Sequence, residues 1–297
     1  MRRTSADVLS RAARLTAAVL SYRHAFHAGN HADVLKHTVL VQLLDYLKQK
    51  DKPFLYVDTH AGAGLYDLAG PWSQKNREFD NGIGRLLECG RLPGEVEHYV
   101  GLVRSLNAGG SLRRYPGSPW LAAECLRAQD RARLFELHPA DFEALQSLFR
   151  GDRRVKVERE DGFRALPPLL PPAQRRALVL IDPPYEVKQD YAAVTSALQA
   201  AWRRFPAAVY LLWYPVVRRD SIDRLERDLR NSGMRDVLLA ELDVAPASRG
   251  GLHASGLILV NAPWTLKPRL ELLLQWLAAT LVVEGQGTCR IVTLVGE

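Results

Sequence analysis

The stretch that decides the fold spans residues 177–185 and reads Ala-Leu-Val-Leu-Ile-Asp-Pro-Pro-Tyr. Its five leading apolar residues predict a strand that is buried on both faces, as in a parallel sheet. Pro183 and Pro184 cannot donate hydrogen bonds to a neighbouring strand, so the strand must end before them. We therefore expect Asp182 and Tyr185 at a carboxyl end of the sheet, where open α/β folds bind ligands.

The tetrapeptide at residues 182–185 resembles the signature of enzymes that methylate exocyclic amino groups with S-adenosylmethionine. Adenine N6 is a poor nucleophile because its lone pair is delocalised into the ring. The Asp182 carboxylate and the Pro183 carbonyl can both accept from the amino group and restore electron density. Tyr185 can stack on the base, an interaction worth roughly 1–3 kcal/mol. The alternative interpretation is a tight turn that ends in a solvated aspartate.

Composition narrows the class of protein. A chain of 297 residues with a net charge of +7 and a pI near 9.4 favours a polyanionic partner, with nucleic acid first. Its three widely spaced cysteines fit a reduced, cytosolic protein without a disulfide framework. No apolar run reaches the roughly 20 residues that a membrane span needs.

The first twenty residues differ in composition from the rest, with arginines at positions 2, 3, 11 and 14 and a single acid, Asp7. They could mimic an organellar transit peptide. A plainer explanation is a mis-called upstream start, with translation beginning at Val19. We expect residues 1–18 to be disordered or absent in the cell, and residues 19–297 to form one methyltransferase domain.

A second motif lies near the N-terminus, at residues 21–37. Asn30 is a plausible N-cap with Asp33 in the first turn, and apolar spacing predicts a helix over about His31 to Lys48. Three interpretations of the motif stay open, namely a metal site, a solvated basic segment, and a segment that faces substrate or cofactor. The metal site lacks a matched second ligand pair. The third interpretation rests on charge combined with a stacking surface, supplied by Tyr22, Arg23, His24 and Lys36.

A glycine-rich turn, Thr59 to Gly64, follows a second buried strand, Pro53 to Asp58. Glycines at this position let a ligand approach the main chain closely. The turn contains neither the GxGxxG dinucleotide pattern nor the Lys-Ser/Thr of a phosphate loop. The pattern therefore disfavours NAD and ATP and leaves S-adenosylmethionine, which has no phosphates.

Further candidate site residues follow at the ends of other predicted elements. Ser118 is a helix N-cap whose hydroxyl can also meet the cofactor. Glu136, near the end of a strand at Arg133–Leu137, can accept from both ribose hydroxyls or form an edge ion pair. Asp161-Gly162, after a strand at Val155–Glu158, can bind an adenine ring or form a simple turn.

The remaining chain alternates helices and strands and ends in a hairpin built from 237–242 and 256–260. This order predicts a Rossmann-like α/β fold with a mostly parallel seven-stranded sheet and a C-terminal antiparallel hairpin. Residues 66–116 are too long for one crossover helix, so we predict a small helical insertion there.

Taken together, these segments resemble the 23S ribosomal RNA (adenine(2030)-N6)-methyltransferase family from about Leu20 to the C-terminus. The likeness is carried by SYRHAFHAGNHADVLKHT, KPFLYVDTHAGAG, YPGSP, ELHP, EREDGF, LVLIDPPYE and LWYPVV. The resemblance implies a class I methyltransferase fold and a ribosomal RNA substrate, methylated before the subunit is fully assembled. It implies catalysis by Asp182, RNA contact by Tyr22 and a role in activity for Lys36. It also implies S-adenosylmethionine contacts at His37, His60, Ser118, Glu136, Asp161, Gly162 and Asp182.

The resulting hypothesis is methylation of one adenine N6 in 23S ribosomal RNA by a cytoplasmic enzyme that needs no metal and no obligate protein partner. Methylation of adenine in DNA shares the tetrapeptide, but we find no additional target-recognition domain. A non-catalytic RNA-binding assembly factor is disfavoured by the intact Asp-Pro-Pro-Tyr and glycine-rich turn. Protein glutamine methylation is a further alternative, although those enzymes more often carry asparagine at the first position.

Overall fold

The structure, a computed structural model, describes residues 24–185 and 190–296. Tyr22, Arg23 and the predicted N-terminal extension at 1–18 lie outside this range. The strands are β1 (Leu55–Asp58), β2 (Leu65–Asp67), β3 (Arg114–Pro116), β4 (Arg131–Phe135), β5 (Val155–Glu158), β6 (Ala177–Ile181), β7 (Val209–Pro215), β8 (Val237–Asp243), β9 (Ala254–Val260) and β10 (Thr288–Val295). The α-helices are α1 (His31–Lys48), α2 (Pro71–Asn76), α3 (Ile83–Glu88), α4 (Gly94–Leu106), α5 (Ser118–Cys125), α6 (Pro139–Leu148), α7 (Gly162–Ala165), α8 (Asp190–Arg204), α9 (Arg219–Arg230) and α10 (Leu266–Leu281).

Within the described residues, eight strands form the main sheet, in the order β5-β4-β1-β6-β7-β9-β8-β10. The first five are parallel, whereas β9 runs antiparallel to both β7 and β8. The predicted fold class and the β8–β9 hairpin are therefore confirmed. The prediction of seven strands is wrong by one, because β10 pairs with β8 as an additional edge strand. Most of its residues are half-buried or exposed, so it carries no continuous apolar run that would mark it.

Both faces of the central strands are covered, as their uninterrupted apolar sequences predict. Every residue of β1 and β6 is buried. One face packs against α1, α4, α5 and α10, and the other packs against α8 and α9. None of the helices in the described ranges is long and apolar enough to cross a membrane.

Helix α1 has the predicted bounds and lies within one of these two core layers. The Asn30 side chain accepts hydrogen bonds from the main-chain N–H groups of Ala32 and Asp33, at 3.0 and 3.1 Å. Only Asp45, Tyr46 and Lys48 of its eighteen residues are not buried. Charged residues of α1 are thus enclosed along with its apolar ones and must find partners inside the protein.

The predicted insertion at 66–116 contains α2, α3, α4 and the strands β2 and β3. The two strands pair antiparallel, with Leu65 opposite Pro116. The two ends of the segment therefore lie side by side. Within the segment, α4 packs against α1. Its position as a separate insertion stays a proposal.

Gly162 brings α7 against the turn that follows β1. A Cβ atom at residue 162 would lie 2.1 Å from the main-chain carbonyl oxygen of Thr59, and main-chain atoms cannot rotate away. We expect Gly162→Ala to lower the free energy of unfolding by about 1–3 kcal/mol through overpacking. Denaturant titration measures this change.

Gly101 provides the matched control, because it lies inside α4 and an added Cβ meets no atom within 4 Å. Gly101→Ala should instead raise the free energy of unfolding by about 0.5–1 kcal/mol, since alanine favours the helix. Equal effects of the two substitutions would contradict the close approach at Gly162.

Candidate active site

Four carboxylates lie at one edge of the sheet, because the strands that carry them are parallel and end together. Asp58 is the last residue of β1, and Glu136 and Asp182 directly follow β4 and β6. Asp161 comes three residues after β5. We call this the carboxyl edge. The structure thus brings together three predicted site residues and adds Asp58, which the sequence analysis treats only as a strand end.

Asp58 is completely buried and surrounded by hydrogen-bond donors. The hydroxyl groups of Tyr56 and Ser118 donate to its Oδ2 at 2.8 and 2.7 Å. The His60 main-chain N–H donates to Oδ1 at 3.3 Å. Burial raises the pKa of Asp58 to about 6, although these donors oppose the shift.

Ser118 therefore differs from its prediction in both helix position and hydrogen-bond partner. The N-cap of α5 is Gly117, and Ser118 is the first residue of the helix. The prediction of Ser118 as the N-cap is wrong, because the Asp58 carboxylate is the acceptor that the hydroxyl meets. Sequence alone could not reveal this contact, since sixty residues separate the two partners.

Glu136 joins the glycine-rich turn to the start of α6. Its Oε2 accepts from the Gly62 N–H at 2.8 Å, and its Oε1 accepts from the His138 N–H at 2.7 Å. Gly62 and Gly64 both have positive φ, which explains the glycines of this turn. Burial raises the pKa of Glu136 to about 7, against the lowering effect of the two N–H donors. Strand β4 ends at Phe135 rather than at the predicted Leu137, so Glu136 is the first residue beyond it.

Asp161 and His60 both contact Phe163 at this edge. Asp161 caps α7 by accepting from the Phe163 N–H at 2.9 Å. The Phe163 ring meets the His60 ring edge-on, with centroids 4.8 Å apart. Burial lowers the pKa of His60 to about 4, so its imidazole is neutral near pH 7.

Lys36 reaches the carboxyl edge from within α1. Its Nζ donates to Asp182 Oδ2 at 2.6 Å and lies 2.9 Å from Asp33 Oδ1. Only 3% of Lys36 is exposed. Burial alone would lower the pKa of Lys36, but the charges of Asp182 and Asp33 raise it, so the ammonium form persists. Lys36 is thus a buried partner of the predicted catalytic aspartate.

Asp33 organises the other side of this contact. Its Oδ2 accepts from the Gly29 N–H and contacts His24 Nε2, both at 2.9 Å. Burial would raise the pKa of Asp33, but its interactions with His24 and with the Lys36 ammonium hold it well below its usual range. From the sequence, Asp33 was predicted only to lie in the first turn of a helix. The spacing that could have predicted its contact with Lys36 is an acid three residues before a lysine in an apolar helix.

The four histidines of the N-terminal motif have different surroundings within the described ranges. His24 contacts Asp33, and His27 contacts Glu78 at 2.9 Å. His37 Nδ1 lies 2.8 Å from the Tyr115 hydroxyl, and burial lowers its pKa to about 3. His31 is buried, and its pKa is lowered by burial to about 4. The His37 ring stacks on the Tyr115 ring, with centroids 5.6 Å apart. This packing does not test the predicted cofactor contact of His37, which stays a prediction.

Tyr185 is held at the turn by its hydroxyl, which donates to the Trp213 carbonyl at 2.8 Å. The Tyr185 main chain is left-handed, with φ of 51°, and its ring packs 4.8 Å from Tyr191. Trp213, which the sequence analysis did not select, lies 5.7 Å from Lys36 Nζ. Its buried indole N–H has no acceptor among the described residues. An unpaired donor here is the kind of group that a ligand satisfies.

Comparisons with known proteins agree on one family. The family model described as "Ribosomal RNA large subunit methyltransferase D, RlmJ" matches residues 51–295. The chain is similar to Ribosomal RNA large subunit methyltransferase J of Escherichia coli K12, with 49% identity over 280 residues, or 94% of this chain and 100% of the relative. The Haemophilus influenzae protein of the same name is 47% identical over 281 residues, with the same coverage. A crystal structure of a Legionella pneumophila protein has a TM-score of 0.84 and 36% identity, and covers 90% of this chain and 98% of that one.

The network around Asp33 gives a stability prediction. Asp33→Ala removes a carboxylate from Lys36 and His24 and leaves buried positive charge poorly compensated. We expect the free energy of unfolding to fall by about 3 kcal/mol, as for other broken buried ion pairs. Urea titration at pH 7 measures the change.

The double variant Asp33→Ala/Lys36→Met separates pairing from packing. Because it removes both the carboxylate and the ammonium, it should be more stable than the sum of the single variants predicts. Additive effects would show that the Asp33–Lys36 contact contributes nothing specific.

Proposed function

Because the chain belongs to the RlmJ family of ribosomal RNA large subunit methyltransferases, we propose that it methylates N6 of one adenine in 23S ribosomal RNA, with S-adenosylmethionine as the methyl donor. The observation that carries this proposal is the set of four carboxylates at the carboxyl edge, with Asp-Pro-Pro-Tyr directly after β6. The RNA would be bound free of protein or in an early assembly intermediate, in the cytoplasm, without an obligate protein partner.

The chemistry of the donor set fits S-adenosylmethionine better than a phosphate-bearing cofactor. Asp58, Glu136, Asp161 and Asp182 offer negative charge and hydrogen-bond acceptors, which repel phosphates and suit a cationic nucleoside with amino and hydroxyl donors. The left-handed glycines at 62 and 64 let a ligand approach the main chain of the turn.

Several residues would hold this group. Glu136 would accept from the ribose hydroxyls, and Asp161 would accept from the adenine amino group beside the ring of Phe163. Asp58, with Ser118 and His60 around it, is suited to the charged amino-acid end. When bound, S-adenosylmethionine supplies a methyl group on a positively charged sulfur.

Asp182 and Pro183 would orient the target adenine. Lys36 occupies Asp182 Oδ2, whereas Oδ1 makes no hydrogen bond to any described residue, so Oδ1 is the oxygen suited to accept from N6. The Pro183 carbonyl would accept from the other amino hydrogen. Tyr185, anchored through its hydroxyl, would support the flipped-out base. Orientation is the main contribution of these residues, because an aromatic amine is too weak an acid for Asp182 to deprotonate first.

Three other activities are distinguished from this proposal by their substrates. They are adenine methylation in DNA, glutamine methylation in a protein, and RNA binding without catalysis. The decisive experiment incubates the protein and labelled S-adenosylmethionine with unmodified 23S ribosomal RNA, DNA or release factors. We expect label only in the RNA, on a single N6-methyladenosine located by nuclease mapping. Label in DNA or release factors alone, or in none of the substrates, would refute the proposal.

Asp182→Asn tests the proposed catalytic carboxylate. The amide keeps the shape but loses the charge that accepts from N6 and pairs with Lys36. We expect the methylation rate to fall at least about a hundredfold, comparable to the loss of one transition-state hydrogen bond in other enzymes. Circular dichroism and thermal denaturation serve as controls for folding. A variant that retains the wild-type rate would exclude this role.

Cofactor affinity should depend on pH through Glu136. With its pKa raised to about 7, Glu136 is mostly protonated at pH 6 and mostly ionised at pH 8, and only the ionised form accepts from both ribose hydroxyls. Affinity for S-adenosylmethionine should therefore increase about tenfold from pH 6 to pH 8. His60, with a pKa near 4, stays neutral throughout this range.

Isothermal titration calorimetry at several pH values measures this dependence. Glu136→Gln is the matched control and should bind weakly with a much shallower pH profile, because glutamine does not titrate. An unchanged slope in Glu136→Gln would assign the dependence to another group, with Asp58 the next candidate since its pKa is near 6.

A further inference from the structure

A local excess of positive charge lies at the end of the sheet opposite the four carboxylates. Five segments precede the parallel strands and meet at this end, namely 49–54, 126–131, 149–154, 174–176 and 203–208. They contain eleven lysines and arginines and three aspartates, a formal charge of +8 compared with +7 for the whole chain. We call these five segments the basic edge.

Hydrogen bonds join these segments into one surface. The Arg127 guanidinium donates to the carbonyls of Lys48, Lys50 and Lys52, at 2.9 to 3.2 Å. Arg176 donates to the Lys52 carbonyl, and Arg154 donates to the Leu126 carbonyl at 2.6 Å. Arg127 and Arg154 also pair with Asp130 and Asp152, so these two guanidinium groups are fixed in place and largely neutralised. The remaining lysines and arginines of the five segments carry the excess positive charge on this ordered frame. A pre-ordered array of cations loses less entropy when it binds an anion.

A cavity of about 440 Å³ opens into the basic edge, between the starts of β4 and β5 and the proline-rich loop at 168–172. Its lining includes five cationic side chains and no acidic one: Arg131, Arg133, Arg153, Arg154 and Lys156. Arg133 and Lys156 both pair with the single carboxylate of Glu158, and Arg154 pairs with Asp152. Two carboxylates thus face five cations, which leaves positive charge in excess. Arg153 is exposed at the rim.

We infer that the basic edge binds the phosphate backbone of the RNA at a second place, away from the adenine at the carboxyl edge. This inference rests on the proposed function. An acid-lined cleft repels a polyanion, so affinity for RNA has to come from another surface. Strands of four or five residues separate the two edges by about 15 Å, so one RNA must extend around the sheet to contact both.

The basic edge also distinguishes long, folded RNA from short RNA fragments. A short RNA that contains only the target adenine and its neighbours occupies the carboxyl edge alone. A long, folded RNA contacts both edges and gains affinity from the second contact without any change in the chemical step. The basic edge therefore contributes to KM for long RNA and leaves kcat unchanged.

The test uses the full chain with the double substitution Lys52→Glu/Arg153→Glu, because both side chains are exposed. The control, Arg91→Glu/Arg224→Glu, changes the net charge equally at exposed residues outside the basic edge. Methylation kinetics are measured for each variant with 23S ribosomal RNA and with a short fragment around the target adenine. Filter binding of 23S ribosomal RNA is measured over a range of salt concentrations.

For the basic-edge variant we expect KM for 23S ribosomal RNA to rise at least about tenfold, with unchanged kcat and unchanged kinetics on the fragment. The slope of log affinity against log salt should become shallower by about 1.4–1.8, as for two lost phosphate contacts. The control should behave like the wild type. An equal loss in the control, an equal loss on the fragment, or unchanged RNA binding would overturn the inference.

The two proposals fail in distinguishable ways. If the wild-type protein methylates neither RNA, the proposed function fails, and filter binding by the two double variants still tests the basic edge. If the wild type methylates 23S ribosomal RNA and Lys52→Glu/Arg153→Glu has the same KM, only the second contact fails.

Discussion

The ammonium group of Lys36 lies between two carboxylates from distant parts of the chain, and the arrangement of the site depends on this contact. Asp33 is one helical turn away, whereas Asp182 is 146 residues away, at the end of β6. Removing a charge from water costs several kcal/mol, so none of the three groups is stable at this depth without the others. The contact therefore links α1 to the central strand and sets the orientation of Asp182.

The same sheet separates charge along its strands. Parallel strands place all their carboxyl ends at one edge, where Asp58, Glu136, Asp161 and Asp182 lie, and all their amino ends at the other. The acidic edge suits a cationic methyl donor, and the basic edge suits a polyanion. One topology thus gives the protein two surfaces of opposite preference, as the proposed transfer from a sulfonium donor to RNA requires.

Sequence patterns located most of the elements, because buried strands and capped helices have local causes. The run at 177–181 and the Asn30 cap predicted β6 and the bounds of α1. Sequence patterns did not predict features whose interaction partners are remote in the chain or whose residues are exposed. Ser118 was misplaced because its acceptor is Asp58, Trp213 was not selected, and β10 was missed because an exposed edge strand has no apolar run.

The sequence by itself determined the fold class, the family and the acids at the strand ends, since each is written in a short segment with its own physical signature. Only the tertiary structure decided which groups pair, namely Lys36 with Asp182, Asp33 with His24, and Ser118 with Asp58. It also decided that charges scattered along the chain collect at one edge. Pairing energies in a buried site depend on distance and desolvation, and residues far apart in the chain acquire both only when the sheet assembles.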